Sequence, residues 1–119
     1  MNIEAFREYC LSKKGATEGF PFDQDTLVFK VMGKMFAIAA LERIPPQANL
    51  KCDPERALEL REIHDGAILP GYHMNKALWN TVLLDQLPES LIRELTDHSY
   101  DLIVASLPKK TRQALEELP

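Results

Sequence analysis

The dipeptide Gly33-Lys34, with a strand-like run on either side, constrains this chain more than any other feature. Leu27 to Met32 alternates and is bounded by turn formers, and Met35 to Leu41 has the same character. A two-residue link between such runs specifies an antiparallel hairpin, and glycine in front points to the turn type that needs glycine at its first central position. Pro45-Pro46 then breaks the chain ahead of a third strand, Gln47 to Cys52. Here Ala48, Leu50 and Cys52 take the core side, while Gln47, Asn49 and Lys51 face outward.

Helical segments flank and interrupt this sheet. Ile3 to Lys13 places Phe6, Tyr9 and Cys10 on one stripe, with Lys13 and Lys14 near the C-terminal end of the dipole and Gly15 as the stop. Asp53 is an N-cap, Pro54 occupies the first helical position and Glu55 the first turn, so a second helix runs to about His64, with Gly66 as its cap. Ala67-Ile68-Leu69 makes a short strand before the Pro70-Gly71 turn, and Trp79 to Leu84 makes a fifth. A third helix starts at Pro88 and carries Leu91, Ile92, Leu95, Leu102 and Ile103 on one stripe; Pro108 ends it and opens a last helix through Leu118. The expected order is α-β-β-β-α-β-β-α-α, a single two-layer α+β domain over residues 1–119 with helices on one face of an antiparallel sheet.

A chain of 119 residues suits one domain with one core. No stretch reaches the roughly 20 apolar residues that span a bilayer. The first residues, Met1 to Glu8, lack the basic-then-apolar layout of a secretory signal, so a cytoplasmic location is expected. Cys10 and Cys52 sit among apolar neighbours and read as buried free thiols. Net charge is −4, which disfavours non-specific attraction to polyanions. Residues 85–106 carry −4 and residues 27–84 carry +1, so any nucleic-acid footprint must be local.

Function points to the segment Pro70 to Asn80, which packs Tyr72, His73, Asn75, Lys76 and Trp79 into one short loop. His73, Asn75 and Lys76 are short-range donors, and Tyr72 or Trp79 offers a stacking plane, which a nucleotide or phosphate ligand would use. The structural alternative has Asn75 capping local backbone while Tyr72 and Trp79 cover the core. Lys109, Lys110 and Arg112 open the last helix, where cations oppose the dipole; they form either an anion site or a cluster neutralised by Asp97 or Asp101. Lys51, Arg56 and Arg61 would extend a basic surface with Lys76, although Glu55, Glu59 and Glu62 invite helical i,i+4 pairing instead. The three histidines have no metal-ligand spacing and the serines no nucleophile elbow. No catalytic constellation, metal or cofactor is therefore expected, and the chain reads as a non-enzyme.

Lys51-Cys52-Asp53-Pro54-Glu55, Leu60-Arg61, Pro70-Gly71-Tyr72-His73-Met74-Asn75-Lys76 and Trp79-Asn80-Thr81-Val82 resemble the motif series of the MmcQ/YjbR family. Ser99-Tyr100 and Leu107-Pro108-Lys109-Lys110 followed by Arg112 match its C-terminal pattern, so the resemblance covers nearly the whole chain. It implies a secretion-chaperone-like, double-wing α-β(3)-α-β(2)-α(α) fold and a DNA-binding function. The motif residues here are Lys51, Arg61, His73, Asn75, Lys76 and Trp79. Under that function Lys51, Arg61 and Lys76 would meet phosphates, His73 and Asn75 would touch backbone or base edges, and Trp79 would stack or support the loop. Two alternatives stand beside it: a chaperone-like protein-interaction module with an exposed apolar patch, and a small-ligand or nucleotide domain with a concave apolar cavity of about 300 Å³ or more.

Overall fold

The computed structural model describes residues 1–72 and 74–119. In chain order the elements are α1 (Ile3–Leu11), β1 (Ala16–Gly19), β2 (Thr26–Val31), β3 (Lys34–Ala40), β4 (Gln47–Lys51), α2 (Pro54–Ile63), β5 (Ile68–Pro70), β6 (Trp79–Leu83), α3 (Glu89–Ser106) and α4 (Lys109–Glu116). The strands form one sheet in the order β1-β2-β3-β4-β6-β5, antiparallel at every pairing. No helix among the described residues is long and apolar enough to cross a membrane.

The caps form where the side chains allow them. Asn2 Oδ1 accepts from the Ala5 N–H at 2.7 Å to start α1. Asp53 caps α2 by accepting from the Arg56 N–H at 3.2 Å, with Pro54 in the first turn and Gly66 at φ 82° beyond the end. α1 stops at Leu11 rather than Lys13, because the chain turns through Ser12 to Gly15 and enters β1 at once.

Two expectations about the sheet need correction. First, β1 is a sixth strand. Ala-Thr-Glu-Gly has no apolar alternation and little β propensity, and it is a strand because it pairs with β2 from Ala16↔Val31 to Gly19↔Val28. Second, the hairpin turn is Met32-Gly33, not Gly33-Lys34. Val31 pairs with Lys34, and Met32 (φ 49°) and Gly33 (φ 85°) both take the left-handed conformation. That is the turn in which both central residues need positive φ, and only the second is a glycine here. A register shift between Phe29 and Lys30 leaves Phe36 as an extra residue on β3, so that Phe36 and Ala37 are both fully buried.

Alternate strand residues build the core under the helices. Leu27, Phe29 and Val31 of β2 join Ala48 and Leu50 of β4, Val82 of β6, Phe6 of α1 and Ile92 and Ile103 of α3 in one cluster, and Cys52 packs with them as expected. Phe6 meets Phe29 edge-on at 6.0 Å, and Phe36 meets Tyr100 edge-on at 5.3 Å. Both cysteines are buried free thiols, and desolvation raises the pKa of each.

Four buried apolar residues lie outside that cluster: Val28, Ile38, Trp79 and Leu83. All four stand at the strand positions that point away from the helices. That second face carries no helix, and what covers it is loop.

Candidate functional site

The helix-free face is laid out by the sheet register. Val28 on β2 lies opposite Ile38 on β3, Ile38 opposite Asn49 on β4, Asn49 opposite Thr81 on β6, and Thr81 opposite Leu69 on β5. A second row runs from Thr26 through Ala40 and Gln47 to Leu83. Two loops distant in sequence rise beside these rows.

The β1–β2 connection carries Phe20, Pro21 and Phe22 and is anchored by Asp23. One Asp23 oxygen accepts from the Asp25 and Thr26 N–H groups at 2.8 and 2.7 Å, and the other accepts from the Thr26 hydroxyl at 3.1 Å. These bonds, led by the one from Asp25, hold the carboxyl below its ordinary range. Phe22 stands 66 % exposed on this anchored turn.

The β5–β6 connection is fastened at its base. The Gly71 N–H donates to the Trp79 carbonyl at 2.9 Å, and the Leu78 and Trp79 N–H groups both donate to the Asn75 carbonyl at 3.0 Å. A Cβ on Gly71 would lie 2.9 Å from both Cβ and the carbonyl oxygen of Trp79, so only glycine passes there without displacement. Tyr72 is 60 % exposed at the head of this loop.

Between the two loops lies a groove of about 520 Å³. Phe22, Met35, Ile38, Tyr72 and Met74 make its apolar surface; Gln47, Asn49 and Thr81 form a polar strip, with Asp23 and Arg43 also in the lining. The Thr81 hydroxyl donates to Asn49 Oδ1 at 2.7 Å, with the Pro70 carbonyl oxygen at 3.4 Å. A shallower hollow of about 300 Å³ lies beside β1 and includes Phe20, Val28 and Lys30.

The residues singled out in the sequence have varied fates. Lys51 pairs with Trp79 across β4 and β6, on the helix-free side. Trp79 is only 8 % exposed and supports the loop from beneath. Arg61 is an internal strut: Nε donates to Asn80 Oδ1 at 2.7 Å, and its terminal nitrogen donates to the Lys76 carbonyl and reaches that of Trp79 at 3.4 Å. Asn75 accepts the Ala77 N–H on its side chain at 3.0 Å, a local backbone cap. The Lys76 ammonium lies 5.4 Å from the centre of the Tyr72 ring. His73 lies outside the described residues.

The remaining basic residues separate from this loop. Arg56 pairs with Glu94 of α3 rather than within its own helix. Lys109, Lys110 and Arg112 lie exposed at the start of α4, which packs through Leu115 against Gly15, with Leu118 just beyond the helix end beside it. Asp97, expected as one of their partners, instead pairs with Lys13 and accepts the Tyr9 hydroxyl at 2.6 Å. No ion pair joins the α4 cations to Asp101 among the described residues.

Sequence reasoning missed Phe22, Met35, Ile38 and Met74 as site residues, and it treated Asn49 only as outward-facing. The one available signal was Phe20-Pro21-Phe22, two aromatics in a segment too rich in turn formers to be core.

Fold and groove define a class: a small α+β protein with helices on one face of an antiparallel sheet and a loop-walled cleft on the other. A family model described as YjbR matches residues 11–102, and the chain belongs to the YjbR family. The YjbR protein of Escherichia coli (strain K12) is 38 % identical over 119 residues, covering 99 % of this chain and all of that protein. The YbdF protein of Escherichia coli O157:H7 is 38 % identical over 95 residues, 79 % of this chain and 77 % of its own. The crystal structure of Deinococcus radiodurans protein DR2400, with a DUF419 domain, superposes with a TM-score of 0.91 at 40 % identity, covering 99 % of this chain and 89 % of that one.

Proposed function

We propose that this chain is a non-catalytic binding module that takes a small, largely apolar organic molecule in the groove on the helix-free face. The observation that carries it is a cavity of about 520 Å³ with apolar walls from Phe22, Met35, Ile38, Tyr72 and Met74 and a few polar groups on one strip. That volume lies within the roughly 300–1,000 Å³ typical of small-molecule sites, and so does that balance of lining. The exposure of Phe22 and Tyr72 supports it further, because large aromatics left in water at the mouth of a cleft gain by covering a ligand.

The test is a titration with phenylnaphthylamine, a neutral apolar fluorophore, against wild type and Ala40→Trp. Ala40 lines the groove, and an indole there would fill it. Saturable one-to-one binding by wild type, lost in a variant that keeps its circular dichroism and melting transition, supports the reading. Equal binding by both proteins overturns it.

DNA binding at the Lys76 loop is the second reading. Exposed Tyr72 with the Lys76 ammonium over its ring offers a base a stacking plane beside a cation. Against it weigh the net charge of −4 and the engagement of Arg61 by three oxygens of its own chain. Labelled duplex and single-stranded DNA, followed by anisotropy at two salt concentrations, separate the readings. DNA binding here requires affinity that falls with salt, with a log–log slope of about −0.9 per duplex phosphate contacted.

A further inference from the structure

The polar strip of the groove is built from neutral groups that both donate and accept. Asn49 is half-buried within it, and Thr81 fixes the orientation of its amide. The 2.7 Å separation between Thr81 Oγ1 and the Asn49 side chain fits an O–H donating to a carbonyl oxygen better than an amide N–H donating to a hydroxyl. One lone pair of the Asn49 oxygen is thereby taken. A carboxamide has two lone pairs and two N–H hydrogens, so one acceptor site and both donors stay open. Among the described residues this side chain makes no other hydrogen bond. Gln47, two positions away on β4 and on the same face, repeats the chemistry. Its Nε2 donates one hydrogen to the Pro45 carbonyl at 3.4 Å, and its second hydrogen and its oxygen stay open.

Charge in the lining favours neither sign. Among the described lining residues only Asp23 and Arg43 are charged, and their formal charges cancel. Asp23 stays an ionised carboxylate, because the three hydrogen bonds it accepts from its own turn all favour the charged form. Arg43 already has a partner in the protein. An anion would share the lining with the Asp23 carboxylate and a cation with the Arg43 guanidinium. Each sign gains from one group, loses to the other, and still bears the cost of leaving water.

The apolar walls set the shape. Phe22 and Tyr72 stand exposed on the two loops that bound the groove, with Met35, Ile38 and Met74 also in the lining. Against such walls a flat aromatic body gains more than an aliphatic one, through offset or edge contacts with the rings and contacts of thioether sulfur at a ring edge.

We infer that the groove takes a neutral planar aromatic molecule with a lactam edge, its ring system between Phe22 and Tyr72 and its cis-amide paired with the side-chain amide of Asn49, with Gln47 beside it. This rests on the groove reading above and adds the polar edge and the charge. Asn49 determines specificity. The ligand N–H donates to its open lone pair while its NH₂ donates to the ligand carbonyl, a two-bond pairing that a bare hydrocarbon cannot make. A lactone sets its ring oxygen against the Asn49 oxygen, acceptor against acceptor, and leaves the pair half made.

The test uses tricyclic probes of closely similar shape on the full chain, followed by calorimetry: phenanthridinone (a lactam), benzochromenone (the lactone with oxygen in place of N–H) and phenanthrene-9-carboxylate (an anion). Wild type is expected to bind the lactam about tenfold or more tightly than the lactone, the scale of one hydrogen bond lost with its partner left unpaired. The carboxylate is expected to bind more weakly than the lactam by at least a similar factor. In Asn49→Leu the lactam-to-lactone ratio is expected to fall to within about twofold, whatever happens to the two absolute affinities. Equal binding of lactam and lactone by wild type overturns the lactam edge, and a carboxylate that binds as tightly as the lactam overturns the neutral occupant, while the groove stands. A ratio that persists in Asn49→Leu overturns Asn49 as the residue that reads the edge. No probe binding to wild type, or all of them binding Ala40→Trp as they bind wild type, overturns the groove itself. The wild-type comparisons need no variant, so the inference is decided even if Asn49→Leu does not fold.

Discussion

Replacing Arg61 by alanine separates a structural arginine from a phosphate-contacting one. Asn80 is 2 % exposed, and its side-chain oxygen accepts the Arg61 Nε–H at 2.7 Å. Truncation removes that charge-assisted bond, worth about 1.5–3 kcal/mol, and leaves the Asn80 oxygen buried without its donor. Release of the Lys76 and Trp79 carbonyls adds little, because both lie where water can reach part of the contact. We expect Arg61→Ala to lower unfolding stability by about 2–3 kcal/mol, read from urea denaturation with an unchanged slope. Arg61→Lys is expected to recover less than half, because one ammonium cannot address Asn80, Lys76 and Trp79 together as a planar fork does. Since the strut holds the loop that presents Tyr72 and Met74, groove affinity should fall in step with stability. A change within about 0.5 kcal/mol, the level of an ordinary surface substitution, would refute the strut. Loss of DNA affinity at unchanged stability would place Arg61 on a phosphate instead.

Other outcomes follow from the same geometry. Gly71→Ala sets a methyl 2.9 Å from the Trp79 backbone and Cβ, and is expected to destabilise by about 1–3 kcal/mol in thermal unfolding. Phe22→Ala removes an exposed ring from the groove wall; stability should move by less than about 0.5 kcal/mol while probe affinity drops, as fluorescence titration would show. His98 Nε2 accepts the Asp53 N–H at 3.2 Å, and burial, followed by the nearby Arg56 charge, lowers its pKa from the ordinary value. The folded state thus favours neutral imidazole. Its contribution is present above the unfolded histidine pKa of about 6.5 and is lost as pH falls through the lower folded value. The stability gap between wild type and His98→Ala, from urea curves, should therefore be wider near pH 8 than near pH 5.

Much of the frame was legible in the sequence, because local chemistry decides it. Asp53-Pro54-Glu55 has few uses other than opening a helix, and α2 begins there. Ala48, Leu50 and Cys52 alternate with polar residues, so only one face of β4 could be core. The hairpin was correctly placed but one residue out of phase, since Met-Gly and Gly-Lys are both acceptable turn pairs and cross-strand packing chose between them. β1 was illegible for a plainer reason: four residues without an apolar pattern become a strand only when a partner edge is offered.

The site divides along the same line. Sequence alone drew attention to the loop from Pro70 to Asn80 and named Tyr72 as a stacking surface, because aromatics and amides concentrated in a turn stand out locally. Which of its residues face a ligand was decided by tertiary structure. Arg61 reaches the loop from α2, Asn75 caps the loop's own backbone at the surface, and Trp79 turns inward, so three of the motif residues hold the loop in shape. The groove belongs to the tertiary structure altogether. Phe22 and Tyr72 are fifty positions apart, and Asn49 is oriented by Thr81 from another strand. A chain's local pattern records what each segment prefers for itself, whereas a cleft exists only where segments distant in sequence are brought together by the core on the other face of the sheet.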